Sequence, residues 1–203
     1  MKTTHVSLLL DETGSMQSCL DATISGYNEY IGALARDKEN KYLFTLTKFD
    51  STHVTTVHDG VAIKQVPELN RDTYIPGQMT PLYDAIARGI KALGRKRNVL
   101  FVIITDGLEN ASKEYTQRGV FKMIKQKTEA GWSFVYLGAN QDAYAVGGGL
   151  GIPRGNTARY STRKTAETFD AISRSTQHYA ASPKLASKDF FKEEDLSKLD
   201  DED

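Results

Sequence analysis

Five oxygen-bearing side chains stand out by type and setting. Asp11, Thr13 and Ser15 alternate in the stretch Asp11-Glu12-Thr13-Gly14-Ser15, which follows a short apolar run. Thr80 closes a loop that contains Pro76-Gly77, and Asp106 follows the most hydrophobic run of the chain, 99–105. Two carboxylates and three hydroxyls, with no His or Cys beside them, are hard-ligand chemistry. They suit Mg²⁺ or Mn²⁺ in an octahedral shell that keeps some water, and ligand type alone does not separate these ions from Ca²⁺. Gly14 and Gly107 permit tight turns next to the candidate ligands.

These residues need elements to bring them together. His5–Leu10 reads as a buried strand. Met16, Leu20, Ile24, Tyr27, Ile31 and Leu34 step by three and four along one face of a long helix. Leu43–Phe49 reads as a strand. Val54–Val57 and Val61–Val66 flank Asp59-Gly60, a hairpin signal that predicts an antiparallel neighbour. Pro81 suits the first turn of a helix with Thr80 as its cap, and that helix buries Leu82, Ile86, Ile90 and Leu93. Val99–Thr105 is apolar on both sides, as the centre of a parallel sheet requires. A helix over Thr116–Thr128, a strand over Trp132–Leu137, a glycine-rich connection over 139–156, an edge strand over Thr157–Ser161 and a helix marked by Phe169, Ile172, Thr176 and Tyr179 complete the pattern.

Strands that alternate with helices predict an α/β, Rossmann-like, doubly wound fold. Its central sheet is mostly parallel with one antiparallel edge strand, and helices cover both faces. Ligands of such sheets sit at the carboxyl ends of the strands, where the strand order reverses. Asp11, the Thr80 loop and Asp106 all belong to that edge. The boundary of the domain falls at 1–181, and 182–203 reads as a flexible acidic tail.

The set Asp11-x-Thr13-x-Ser15, then Thr80, then Asp106-Gly107 resembles the metal-ion-dependent adhesion site of the von Willebrand factor A domain family. The pieces stand in the family's order over about residues 4–180. Thr13 occupies a position where many members have Ser and keeps the hydroxyl. The resemblance implies that Thr13 and Ser15 ligate the metal directly and that Thr80 joins in the ligand-bound state. It implies that Asp11 and Asp106 act directly or through water. One coordination position then stays open for an Asp or Glu of a protein partner. Stand-alone intracellular members of the family often serve as adaptors in multiprotein complexes, commonly with AAA+ ATPases. The stretch LGANQDAYAVGGGLGIP (137–153) looks like small members from bacteria and their phages, which would imply a host-takeover or anti-defence factor.

Other features have plainer readings. Glu12, Met79, Glu109 and Asn110 flank the candidate ligands and are expected on a partner-binding rim. Asp84 reads as a charge favoured at a helix N-terminus. Gly147–Gly151 has neither a G-x-G-x-x-G register nor a following Gly-Lys-Ser/Thr, so it is not a nucleotide loop. Arg88, Lys91, Arg95, Lys96 and Arg97 concentrate charge at one helix end, an ordinary dipole complement. His53 and His58 fall on opposite faces of a strand and share no metal. Cys19 is the lone cysteine of the chain, so neither an intramolecular disulfide nor a Cys-based zinc site is available.

Composition bounds the function. The 203 residues carry 26 Lys+Arg and 26 Asp+Glu, with 39% hydrophobic residues, which excludes a wholly disordered chain. No apolar run approaches a membrane span, and the first apolar stretch is too short for a signal-peptide core, so a cytoplasmic protein is expected, in the host cytoplasm if a phage encodes it. The charge balance hides a tail: residues 189–203 sum to −6 and the rest to +6. Phe190, Phe191, Leu196 and Leu199 suggest an amphipathic helix that folds back on the body, binds a partner, or offers an acid to the metal of a second copy. The leading expectation is a non-catalytic, metal-dependent binding module. A metal-dependent phosphoryl hydrolase is the alternative, weakened because Thr13 stands where the haloacid-dehalogenase pattern needs an Asp. Nucleic-acid binding through the basic face is a third reading that the balanced charge disfavours.

Overall fold

The computed structural model describes residues 3–139, 142–183 and 188–200. Six strands form one sheet: β1 (Thr3–Asp11), β2 (Lys41–Phe49), β3 (Val54–Ala62), β4 (Val99–Thr105), β5 (Ser133–Ala139) and β6 (Thr157–Tyr160), in the order β3-β2-β1-β4-β5-β6. All neighbours are parallel except β2 and β3, which are antiparallel, so one edge strand is reversed. β4 and β5 are buried along their whole length, which explains why β4 (VLFVIIT) is apolar without alternation.

Among the described residues, six α-helices flank the sheet: α1 (Leu20–Arg36), α2 (Leu82–Leu93), α3 (Gln117–Glu129), α4 (Ala143–Gly149), α5 (Thr165–Ala181) and α6 (Glu193–Asp200). On one face Val6, Leu8 and Leu10 of β1 pack with Tyr27, Tyr30 and Ile31 of α1 and with Phe169 and Ile172 of α5. On the other, Leu9 meets Leu82, Ile86 and Ile90 of α2 and Val120 and Ile124 of α3. The two-residue period of β1 thus feeds two separate cores. α1 and α5 approach closely because Gly26 leaves room: a Cβ there would lie 2.3 Å from the Phe169 ring.

Several local expectations change. The long first helix begins later, because Gly14–Cys19 form a 3₁₀ turn before α1. The hairpin lies at residues 50–53 and not at Asp59-Gly60. Asp50 Oδ1 accepts the Thr52 N–H (2.6 Å) and the His53 N–H (3.0 Å) and closes that turn. Asp59 and Gly60 sit inside an unbroken β3, where they place an extra residue opposite Thr45. Gly60, at φ 65°, donates its N–H to Thr45 Oγ1 (3.0 Å), so the glycine signal marks a bulge. Within the glycine-rich stretch, residues 143–149 form α4, capped by Asp142, whose carboxylate accepts the Ala145 N–H (3.0 Å); residues 140 and 141 lie outside the described residues.

The acidic segment, expected as a flexible tail, is packed against the body from residue 188. Phe190, Phe191 and Leu199 are buried in the core beside α5 and β6. The Phe191 N–H bonds the Gly155 carbonyl (3.0 Å), and Asp195 is buried on Arg174 Nη2 (2.7 Å). Two adjacent phenylalanines bury too much apolar surface to stay in water. Residues 184–187 and the terminal acids Asp201, Glu202 and Asp203 lie outside the described residues. Among the described residues, no helix is long and apolar enough to cross a membrane.

Candidate metal centre

The sheet order assembles the site. β1 lies between β2 and β4, and the register pairs Leu10 with Ile104, which sets Asp11 beside Thr105 at the carboxyl edge. The chain leaves β1 toward β2 and reaches β4 from the other side through α2, so the crevice between the β1 and β4 ends is the switch point.

All five candidate ligands belong to this crevice. The Asp11 carboxylate is buried and held from two sides: Oδ1 accepts the Thr13 N–H (2.7 Å) and Oδ2 accepts the Thr105 hydroxyl (2.5 Å). Ser15 Oγ donates to Asp106 Oδ1 (2.5 Å) across 91 residues of sequence. Thr13 Oγ1 lies 3.4 Å from Ser15 Oγ and 3.3 Å from Thr80 Oγ1. Oxygens from three loops therefore converge. Thr80 does not cap α2 as expected; its hydroxyl turns to Thr13, and Pro81 precedes the helix with no side-chain cap. Gly107 is required by this approach, since a Cβ there would lie 2.5 Å from Thr80 Oγ1.

The electrostatics are uncompensated. Burial pushes the Asp11 carboxyl up to about 6, against the pull of its hydrogen bonds to Thr105 and Thr13, and the like charge of Asp106 adds to the rise. Burial also raises Asp106. Two carboxylates and three hydroxyls are a donor set of the kind that could hold a hard divalent cation, whose charge would offset the buried carboxylates. Among the described residues, no group of three or more His, Cys, Asp or Glu side chains gathers to hold a metal ion, so the candidate set rests on two carboxylates and three hydroxyls.

The expected rim divides. Met79 is exposed. Glu12 is no rim residue: it is buried, and its carboxylate takes Lys48 Nζ (2.6 Å), His53 Nε2 (3.1 Å) and the Ile75 N–H (2.8 Å). It ties the β2–β3 turn to the 66–81 loop. Glu109 turns back to accept the Tyr83 N–H (2.9 Å), the Ser112 N–H (2.7 Å) and the Ser112 hydroxyl (2.7 Å). Asn110 clamps Thr80, accepting its N–H on Oδ1 (2.9 Å) while its own N–H bonds the Thr80 carbonyl (3.1 Å).

Three positioning residues escape sequence reasoning. Thr105 orients Asp11. Tyr74 donates its hydroxyl to the Asp11 carbonyl (2.5 Å). Asp84, expected as a simple helix charge, is buried and accepts the N–H groups of Lys113 (2.9 Å), Glu114 (3.1 Å) and Tyr115 (2.8 Å), which fixes the loop after Asp106. The hint for Thr105 is a hydroxyl ending an otherwise apolar strand; Tyr74 gives no signal of its own. In the basic cluster, Arg88 pairs with Glu114, Lys91 with the Tyr115 hydroxyl and Lys96 with Asp59, so three of its five charges have partners within the fold.

Known structures share this fold. The von Willebrand factor domain of a type V pilus tip protein from Porphyromonas gingivalis superposes with a TM-score of 0.64 at 9% identity, over 88% of this chain and 96% of that one. The chain has the von Willebrand factor A fold. A von Willebrand factor type A protein from Catenulispora acidiphila matches with a TM-score of 0.57 at 10% identity, over 87% of this chain and 43% of that one. The proximal thread matrix protein 1 of the mussel byssus matches at 0.60 and 13% identity, over 85% of this chain; the chain spans 45% of its length. At these identities the likeness is one of fold. No family model matches the sequence, and no curated protein matches it.

Proposed function

We propose that the chain is a non-catalytic binding module. It holds a divalent cation, Mg²⁺ or Mn²⁺, at Asp11, Thr13, Ser15, Thr80 and Asp106, and through it captures an acidic side chain of a protein partner. The observation that carries this reading is the convergence of Ser15, Thr13 and Thr80 hydroxyls with Asp106 and a buried Asp11 at the switch point. A cation bound there would act as a Lewis acid with a position left for a carboxylate. The chain's own work is positional. Thr105 and the Thr13 amide aim Asp11, Asn110 holds the Thr80 backbone, and Glu12 braces the two loops behind the site. The two carboxylates are held by hydroxyl and amide donors, with no lysine or histidine hydrogen-bonded to either among the described residues, which supports binding over acid–base chemistry.

Titration calorimetry with MgCl₂ and MnCl₂ tests the reading. Wild type takes up one equivalent, and at a hundredfold excess over Kd the metal stabilises the fold by about 2.7 kcal/mol. Thr80→Ala and Asp11→Ala, checked for folding by circular dichroism, weaken or abolish uptake. A wild-type protein that takes up neither ion refutes the reading.

A further inference from the structure

The 66–81 loop and the segment after Asp106 carry an unusual set of side chains. Among the large hydrophobic residues exposed in the described structure, the three most exposed are Ile75 (66%), Leu108 (60%) and Met79 (57%). All three stand on the loops that build the metal centre. Met79 adjoins Thr80. Leu108 adjoins Gly107, which lies against the Thr80 side chain. Ile75 is anchored through its N–H to Glu12 Oε1, one residue from Asp11. The other exposed apolar side chains, such as Val57 at 42%, lie elsewhere.

The backbones beneath these side chains are tied down. The Gly77 N–H bonds the Glu12 carbonyl (2.9 Å), and the Gly14 N–H bonds the Gln78 carbonyl (3.0 Å). The Met79 N–H reaches Ser51 Oγ (3.3 Å), and Thr80 and Asn110 hold each other. These backbone groups are bonded within the fold while the side chains of Ile75, Met79 and Leu108 face water. A loop with its backbone already ordered loses little entropy when a partner covers it.

We infer that Ile75, Met79 and Leu108 form an apolar collar that selects the partner: a protein segment whose Asp or Glu is flanked by aliphatic or aromatic side chains. The inference rests on the proposed metal reading and deepens it. Charge complementarity assigns the acid to the cation, and the collar assigns its neighbours. Apolar contacts around the carboxylate would exclude water from the ionic contact and strengthen it, as near-neutral rims do around interface hot spots.

The test selects random 12-residue peptides displayed on phage against the whole chain in Mg²⁺ and, separately, in EDTA. The expected consensus is an acid with apolar residues within about two positions on both sides, recovered in Mg²⁺ alone. A synthetic consensus peptide, followed by fluorescence anisotropy, binds about tenfold more weakly to Met79→Ser and to Leu108→Ser. Calorimetric Mg²⁺ affinity stays unchanged in both variants, and Val57→Ser behaves as wild type. The collar is overturned if metal binds but no peptide is enriched, if the consensus is an acid without apolar neighbours, or if both serine variants bind within twofold of wild type. Failure of the underlying metal reading looks different: wild type takes up no Mg²⁺, or the peptides are retained equally in EDTA.

Discussion

β1 buries a titratable group at each end, and the two ends solve that problem differently. At the amino end, His5 is buried with Nε2 2.8 Å from Thr45 Oγ1. Burial drives its imidazole down to about 4; the charge of Lys96 adds to the fall and that of Asp59 opposes it. The neutral ring has a hydrogen-bond partner, and Lys96 pairs with Asp59 alongside, so this end is satisfied without an ion. At the carboxyl end the same burial raises Asp11, and the charge acting on it is Asp106, of the same sign. A buried base can shed its charge and remain bonded. Two neighbouring carboxylates among hydroxyl oxygens leave an excess of lone pairs that a cation fits. One strand thus carries a structural end and the end at which we propose a cation binds.

The largest expected effect separates the two ends outright. Asp11→Ala removes measurable Mg²⁺ uptake in calorimetry, a loss beyond the roughly 10–100-fold typical of outer-shell changes, whereas His5→Gln leaves uptake unchanged. Equal losses from both substitutions would break the distinction.

His5 sharpens the comparison through pH. Its folded pKa lies below the unfolded value, so below pH 6.5 the unfolded chain binds more protons and stability falls as pH drops toward 4. The contribution lost by pH 4 is at most about 3 kcal/mol, because solvent screening reduces it. Urea unfolding between pH 7 and pH 4 should show a shallower acid loss in His5→Gln than in wild type; parallel curves would refute the assignment.

A smaller effect tests the carboxyl end by shape. Gly107→Ala drives a Cβ against Thr80 Oγ1, and Mg²⁺ affinity should fall about tenfold, or about 1.4 kcal/mol, while circular dichroism stays native. The smallest effect is expected from Asn110→Ala, which removes one bond to the Thr80 N–H. A net hydrogen bond is worth about 0.5–1.5 kcal/mol, so calorimetric affinity should fall about threefold.

Much of this architecture is legible in the residues. The apolar runs of β1 and β4 and the helical spacing of α1, α2 and α5 locate those elements within a few positions. The candidate ligands are visible because oxygen side chains end two apolar strands. Other features defeat local reading. Asp59-Gly60 supplies the backbone freedom of a hairpin, yet the partner strand uses it for a bulge opposite Thr45. Thr80 has the chemistry of a helix cap, yet Gly107 brings it onto Thr13. Glu12 looks like a surface acid beside a candidate ligand, yet Lys48 and His53 arrive from a different strand and turn to pull it inward. The acidic composition of 189–203 suggests a solvated tail, whereas the spacing of Phe190, Phe191, Leu196 and Leu199 also reads as a helix folded back on the body, and packing decides for the latter.

By itself the sequence determined the α/β alternation, the parallel core and the set of oxygen donors, because hydrophobic period and side-chain chemistry are local properties. Only the tertiary structure decided which oxygens meet, which acids are buried in bracing roles and which apolar side chains remain in water around the site. Those outcomes depend on strand order and on contacts between residues as far apart as Ser15 and Asp106, and pairings over such distances are set by how the layers pack.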